Sequence, residues 1–165
     1  MDAKLEKADV IKWIAGFTCI IVIQITALRY IAIPVNPNIS VEPDVILLAL
    51  FYFSLYNSHN ATIIAGFCSG LAFDLLGGGI IGLGAFTKTI IGFILGYTPR
   101  KHVLRKLSQY IFVLFLIALS HDFIYNSIYS FNTTISFWNL VAWRSFPSSI
   151  YTVLVGIIIF YWVKK

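Results

Sequence analysis

Two charged residues lie on stripes of glycine inside segments that are otherwise apolar enough for a lipid bilayer. The first stripe reads Gly66, Gly70 and Asp74, and the second reads Gly84, Lys88, Gly92 and Gly96. Steps of four keep these residues on nearly one face of a helix. Glycine lets another backbone approach closely, and a charge is costly in hydrocarbon, so both faces should turn away from lipid. The stripes therefore predict a packed bundle of membrane helices with a polar seam.

The composition fits a protein whose solvent is lipid. Of the 165 residues, 59% are hydrophobic and 12% are charged, whereas a soluble domain has about 45–50% apolar and about 25% charged residues. One buried core cannot hold so many apolar side chains, so most of them should face hydrocarbon. The composition predicts a single polytopic membrane domain over residues 1–165, with no soluble catalytic domain.

Apolar runs and turn signals predict six transmembrane helices. Their ranges are 11–33, 42–56, 60–76, 80–98, 107–130 and 146–163. Pro34 and Pro37 should end the first helix, and Pro43 should lie in the first turn of the second, where proline is tolerated. The second and third helices are short for a hydrocarbon core of about 30 Å. The predicted fold class is an all-α integral membrane protein with a compact bundle of six helices.

The basic residues predict the orientation in the membrane. Nine of them would lie on one side of a six-span protein: Lys4, Lys7, Lys12, Arg100, Lys101, Arg105, Lys106, Lys164 and Lys165. The positive-inside rule then places both termini in the cytoplasm. Arg144 is the exception, and the nearby Phe137, Trp138 and Trp143 predict an aromatic anchor at the outer interface. The net charge of +5 predicts contact with anionic headgroups and no nucleic acid.

A third stripe, also with a charged residue, is predicted on the fifth helix. Asp122 stands between Ala118 and Asn126 in steps of four. We expect Lys88 to pair with Asp122, with Asp74 or with both, because an ion pair relieves the cost of a charge in hydrocarbon. Three roles for these charges stay open: holding the bundle together, forming a path for protons or a solute, or docking another membrane helix.

Metal and cofactor sites are not predicted. Cys19 and Cys68 lie inside apolar runs, where buried reduced thiols are the usual state. His121 has no second histidine or cysteine at ligand spacing, so it is interpreted as a hydrogen-bonded residue of the bundle.

An enzyme is not predicted either, although one alternative is weighed. Asp74 and Asp122 could share a proton as the pair of an intramembrane aspartyl peptidase. Lipoprotein signal peptidases have a similar length and two such aspartates. In those enzymes an arginine follows one aspartate, whereas Asp74 is followed by Leu75 and Leu76.

Short motifs in the middle of the chain carry a resemblance to a known family. They are the segment Pro43-Asp44-Val45-Ile46-Leu47-Leu48-Ala49-Leu50, Ala65-Gly66-Phe67, Gly70-Leu71 with Asp74-Leu75-Leu76, Gly82-Leu83-Gly84-Ala85-Phe86, and Gly92-Phe93-Ile94-Leu95-Gly96-Tyr97. Together they resemble the rod shape-determining protein MreD family over residues 43–97. The family's Pro-Asp pair falls on Pro43 and Asp44, and its Gly-Leu-x-x-Asp motif ends at Asp74. Lys88 departs from the usual apolar or small residue of the family.

The resemblance implies a component of the bacterial cell-elongation machinery in the cytoplasmic (inner) membrane. Family members work with the single-span protein MreC, the MreB filament, the RodA glycosyltransferase and a class B penicillin-binding protein, and are not enzymes. Their fold is similar to the S components of energy-coupling-factor vitamin transporters.

The predicted function is a non-catalytic scaffold that binds a single-span partner and takes part in peptidoglycan synthesis. Its partner face is placed at Gly66, Gly70, Gly92 and Gly96, unless the chain's own helices pack there. Membrane lipid and a second copy of the chain are further expected partners. The alternative from another class is a vitamin-binding transporter subunit, which would need an outward pocket with converging polar groups.

Overall fold

The computed structural model describes residues 7–36, 39–77, 80–97, 106–133 and 136–163. Contacts between residues group the chain into two compact units. The first unit is Met1–Ala27 with Val45–Thr98, and the second is Leu28–Asp44 with Pro99–Lys165. The single domain that the composition predicts stays a prediction.

The regular secondary structure of the first unit, in its described part, consists of helices joined by short turns. Its helices are α1 (Lys7–Thr26), α2 (Val45–Tyr56), α3 (His59–Gly77) and α4 (Leu83–Gly96). The closest packing in this unit is between α3 and α4. The core lies along α2, where Ile46, Leu50 and Phe51 are completely buried. Trp13 of α1 meets Phe53 of α2 edge to face, with 4.9 Å between the ring centroids.

The second unit contains a hairpin and the remaining helices. A 3₁₀ turn (Leu28–Ile31) leads into strands β1 (Ile33–Asn36) and β2 (Ile39–Val41), followed by α5 (Leu107–Ser130), α6 (Phe137–Leu140), a π turn (Val141–Ser145) and α7 (Phe146–Val163). The strands are antiparallel, with Ile33 opposite Val41 and Pro34 opposite Ser40.

A buried hydroxyl joins the two long helices of this second unit. Tyr110 of α5 is completely buried. Its hydroxyl donates to the carbonyl oxygen of Gly156 in α7 at 2.9 Å. The bond therefore fixes how the two helices are aligned along their length.

The first predicted helix is too long at its carboxyl end. The prediction runs to residue 33, but α1 ends at Thr26. The chain remains apolar beyond that point, but it forms the 3₁₀ turn Leu28–Ile31 and then enters strand β1, with Ile33 opposite Val41. Pro34 lies in this strand, and a proline inside a helix would remove a hydrogen bond. The all-α prediction is thus correct for the helices and misses this hairpin.

The second predicted helix begins too early. It was placed at residues 42–56, but α2 begins at Val45, so Pro43 precedes the helix rather than lying in its first turn. The first amide of α2 needs a partner outside the helix. The Val45 N–H donates to Oε1 of the buried Gln24 at 2.9 Å. The Gln24 side chain of α1 thereby caps the start of α2, a role that a residue of α2 itself could otherwise fill.

Three helical segments of the described chain are long and apolar enough to cross a membrane: His59–Gly77, Leu107–Ser130 and Phe137–Trp162. The other apolar helices are shorter, over Ile11–Thr26, Val45–Tyr56 and Leu83–Gly96. The chain thus has the helices of a membrane protein, while the count of six spans stays a prediction. Several of the basic residues behind the orientation, including Lys4, Arg100 and Lys164, lie outside the described residues.

Candidate functional site

The two glycine stripes lie where the backbones of α3 and α4 touch. A Cβ atom added at Gly70 would lie 2.6 Å from the Gly84 carbonyl carbon and 2.7 Å from Ala85 Cα. A Cβ at Gly66 would collide with the carbonyl group of Lys88, and one at Gly92 would lie 2.8 Å from the Thr62 oxygen. These contacts are with backbone, which cannot move aside, so the close approach of α3 and α4 requires glycine at all three positions.

Gly96 makes room for a side chain instead. A Cβ there would overlap the ring of His59, at the first residue of α3. The His59 ring packs edgewise on Phe93 and on Tyr97, at centroid distances of 5.3 and 4.9 Å. Between the two roles predicted for the glycines, this geometry supports packing between the chain's own helices.

Asp74 covers the amino-terminal end of α4. Its Oδ2 accepts hydrogen bonds from the N–H groups of Gly82 (3.0 Å) and Ala85 (3.1 Å), and its Oδ1 accepts one from Gly84 (3.1 Å). These are amides without a partner inside the helix, at the end that attracts negative charge. Asp74 is only 3% exposed. The backbone N–H groups at the start of α4 therefore stabilise the buried carboxylate of α3.

Two glycines make this contact with Asp74 feasible. Gly82 has a φ of +92°, a conformation that L side chains rarely adopt. A Cβ on Gly84 would collide with the Asp74 carboxylate. The two glycines thus allow the turn and the start of α4 to approach the Asp74 side chain closely.

Lys88 is buried on the same pair of helices. It is 3% exposed, and its Nζ lies 5.4 Å from the centroid of the Phe73 ring. A cation over an aromatic face gains electrostatic stabilisation that water does not screen when the site is buried. The ion pair of Lys88 with Asp74 or Asp122 stays a prediction.

A second polar cluster lies in the other unit, around His121. The His121 ring is buried, with Nδ1 3.1 Å from Asp122 Oδ1 and 3.8 Å from Asp44 Oδ2. The other oxygen of Asp122 accepts from the Ser149 hydroxyl at 3.3 Å. The backbone N–H of Asp44 donates to Thr152 Oγ1 at 3.0 Å. The cluster joins the segment before α2 to α5 and α7, and in the described part of the chain no group of three metal-ligating side chains is arranged to hold a metal ion.

Sequence reasoning missed how close His121 and Asp44 are. Asp44 was identified through the family motif, and His121 as a hydrogen-bonded bundle residue. No spacing connects the two, because they lie far apart in sequence on a loop and a helix. The available signal for a polar cluster was the presence of Asp44 just before α2 in a chain with few charged residues.

The stripe Ala118, Asp122 and Asn126 faces the π turn. Asn126 Nδ2 donates to the Ser145 hydroxyl at 2.8 Å, and that hydroxyl donates to the backbone oxygen of Asp122 at 3.3 Å. Ala118 and Asn126 are buried, at 1% and 2% exposure. The step of four therefore identifies the face of α5 that packs inside its unit.

An apolar groove of about 450 Å³ runs along α1 and α3. Its walls are aromatic and branched residues of α1, Phe53 of α2 and a row of small residues of α3. The lining consists of Trp13, Ile14, Phe17, Thr18, Ile21, Phe53, Ala61, Ile64, Ala65, Cys68, Ser69 and Ala72. The small residues follow the helix in steps of three and four, on a different face from the glycines that meet α4.

A family model described as rod shape-determining protein MreD matches residues 10–165. The chain belongs to the MreD family. The match extends the resemblance seen at residues 43–97 over nearly the whole chain and confirms it. No curated protein and no solved structure matches the chain. Membership of the MreD family assigns the chain to the determination of rod shape, and its long apolar helices identify it as a membrane protein.

The two motifs of this MreD-family chain on which the resemblance was based lie in the two polar groups. Asp44 of the Pro-Asp pair lies beside His121, and Asp74 of the Gly-Leu-x-x-Asp motif caps α4. The motif glycine, Gly70, lies in the backbone contact next to that cap. Both motifs therefore hold helices and loops in place.

Proposed function

We propose that the chain is a non-catalytic scaffold of the bacterial cell-elongation machinery that binds a single-span, MreC-like partner. The observation that carries this proposal is the family match over residues 10–165. In the same proposal the chain lies in the inner membrane with both termini in the cytoplasm. MreB, RodA and a class B penicillin-binding protein are the further components that it would bring together.

The groove between α1 and α3 is the face that we assign to the partner helix. Ala61, Ala65, Cys68 and Ala72 form a row of small residues on α3, and Phe17 stands opposite. Small residues let a second helix approach closely in lipid, where van der Waals packing drives association. The face first expected, at the four glycines, is covered by the contact of α3 with α4. The proposal therefore moves the partner to the opposite side of α3.

The two alternative functions receive less support from the site. The groove is lined almost entirely by apolar side chains, whereas a vitamin site needs converging polar groups. Both carboxylate oxygens of Asp74 accept backbone hydrogen bonds, which gives this residue a structural role rather than that of a peptidase acid.

The native cysteines offer a direct test. Both Cys19 and Cys68 are exposed, and only Cys68 lines the groove. Cysteine would be placed at successive positions along the membrane span of the partner. Oxidative crosslinking would then be measured in native membranes against Cys19→Ser, which keeps Cys68, and Cys68→Ser, which keeps Cys19.

The expected result is a crosslink from Cys68 to partner positions three or four residues apart, with none from Cys19. Such a period would identify a helix lying along the groove. Equal crosslinking from both cysteines would contradict the groove. No crosslink at all, together with normal rod shape after loss of the chain from the cell, would contradict the scaffold itself.

A further inference from the structure

Arg144 lies over a pair of stacked tyrosines. The rings of Tyr125 and Tyr129 on α5 are 6.0 Å apart and inclined by 20°. The guanidinium carbon of Arg144 lies 5.8 Å from the centroid of Tyr125 and 5.1 Å from that of Tyr129. A flat guanidinium stacks on aromatic faces while its N–H groups stay directed outward from its edge.

The donors of Arg144 have no hydrogen-bond partner within the described ranges of the chain. Among the described residues, Arg144 has its two ring contacts and no carboxylate within ion-pair distance. Tyr129 likewise has ring contacts, and its hydroxyl has no hydrogen-bond partner in the part of the chain that the structure describes. A guanidinium fork and a hydroxyl thus present donors side by side, at a partly exposed position.

The π turn carries this arginine. In Val141–Ser145 the backbone bond runs five residues back, as shown by the Phe146 N–H that donates to the Val141 oxygen. Turns of this kind occur frequently at functional sites. The turn is held against α5, because Ser145 is completely buried and forms hydrogen bonds with Asn126 and Asp122 of that helix. Arg144 is therefore held on a rigid base.

Exposed aromatic side chains lie close to Arg144 and Tyr129 in sequence. Trp138 is 75% exposed, Phe131 is 91% exposed, and Trp143 directly precedes Arg144. Tryptophan and other amphipathic rings collect at the level of lipid headgroups. An arginine at that level meets phosphate, and its planar fork matches two phosphate oxygens at once.

We propose that Arg144 and Tyr129 bind the phosphate of a membrane lipid headgroup at this end of α5. The tyrosine stack orients the guanidinium, the Tyr129 hydroxyl adds a donor, and the neighbouring exposed rings contact the glycerol and the upper acyl chains. The proposal is independent of the partner helix, which is assigned to the first unit.

The test measures lipid retention by native mass spectrometry of the delipidated full chain. The probes are palmitoyl-oleoyl phosphatidylglycerol, the diacylglycerol with the same chains, and inorganic phosphate alone. The variants are Arg144→Gln, Arg144→Lys and Tyr129→Phe. Lys106→Gln is the matched control, because it removes one exposed positive charge at the start of α5, the helix that carries Tyr129.

We expect Arg144→Gln to lower retention of one phospholipid about tenfold, as for the loss of a charge-assisted bidentate contact. Arg144→Lys should be intermediate because lysine lacks the planar fork. Tyr129→Phe, which keeps the ring, should have a smaller effect, and Lys106→Gln should have none.

Three results would overturn the proposal: equal retention of phosphatidylglycerol by Arg144→Gln and the unchanged chain, equal retention of diacylglycerol and phosphatidylglycerol, or binding of inorganic phosphate with no preference for the lipid. Arg144 would then be a ring-stacked structural residue or the contact of an acidic protein. Thermal unfolding in the same detergent identifies a variant that fails to fold, and Tyr129→Phe and Arg144→Lys then decide the matter.

Discussion

Among single residues, Asp74 shows how a buried carboxylate is accommodated in an apolar helix. The sequence predicts that it turns inward, and this prediction agrees with its 3% exposure. A basic side chain was the expected neighbour. The structure gives it three N–H groups at the start of α4, and its pairing with Lys88 stays a prediction. Backbone amides leave no mark in a residue pattern, which is why this contact could not be found from the sequence.

Replacing Asp74 should destabilise the α3–α4 pair. Asp74→Ala leaves three amides without their acceptor, and we expect it to lower the free energy of unfolding by about 2–3 kcal/mol. Asp74→Asn keeps one acceptor oxygen and should lose less. The measurement is SDS titration in mixed micelles.

Thr89→Val is a matched control for this change. It removes a hydroxyl of α4 whose bond, among the described residues, stays within its own helix, to the Ala85 oxygen at 2.6 Å. We expect a change of less than about 1 kcal/mol. A loss for Asp74→Ala that is no larger than that of Thr89→Val would contradict the capping role.

Among the secondary-structure elements, the α3–α4 pair depends on glycine for its close contact. Gly70→Ala would place a methyl group against the backbone of Gly84 and Ala85. The helices would have to separate, at a cost of about 1–3 kcal/mol in the free energy of unfolding.

Gly16 of α1 provides the control for Gly70. A Cβ there meets nothing within 4 Å. Gly16→Ala should therefore raise the stability by up to about 1 kcal/mol through helix propensity. The two changes are chemically identical, so SDS titration of both isolates the effect of packing. Equal effects would show that α3 and α4 are not in backbone contact.

The contact of α5 with α7 can be tested at one hydroxyl. Tyr110→Phe removes the bond to the Gly156 oxygen and should lower the free energy of unfolding by about 1 kcal/mol. Tyr161 of α7 is 61% exposed, so Tyr161→Phe should have little effect. Thermal unfolding of the two variants in the same detergent makes the comparison, and similar midpoints would argue against the bond.

The helices could be predicted from the sequence where apolar periodicity ends at a polar turn. The predicted range 107–130 coincides with Leu107–Ser130, and 60–76 differs from His59–Gly77 by one residue at each end. The end of α1 could not be predicted, because the hydropathy of the 3₁₀ turn and strand that follow is the same as that of a helix. The groove along α1 was missed for a related reason: a cavity depends on how helices pack, and composition carries no such information.

At the scale of the whole molecule, the described residues combine three long and three shorter apolar helices with few charges. Three segments can cross a membrane by length, and the others fall short of about 20 residues. Six crossings would still return the chain to the side on which it started. The basic residues of the sequence favour this even number.

A topology of six crossings predicts which positions membrane-impermeant reagents can reach. In a chain with Cys19 and Cys68 replaced by serine, Ser136→Cys should react with a membrane-impermeant maleimide in intact cells. Cysteines at Asp2 and Lys165 should react only after permeabilisation. A terminus that is labelled in intact cells would contradict six spans with both termini inside.

The five-residue turn at Val141–Ser145 has one residue more per turn than an α-helix. If the same five residues were wound as a regular α-helix, everything beyond them would rotate by roughly a further quarter turn. Ser149, which bonds to Asp122, and the Gly156 carbonyl, which accepts the hydrogen bond of Tyr110, would then point in other directions. The wider winding of this turn thus sets the angular phase of the last helix.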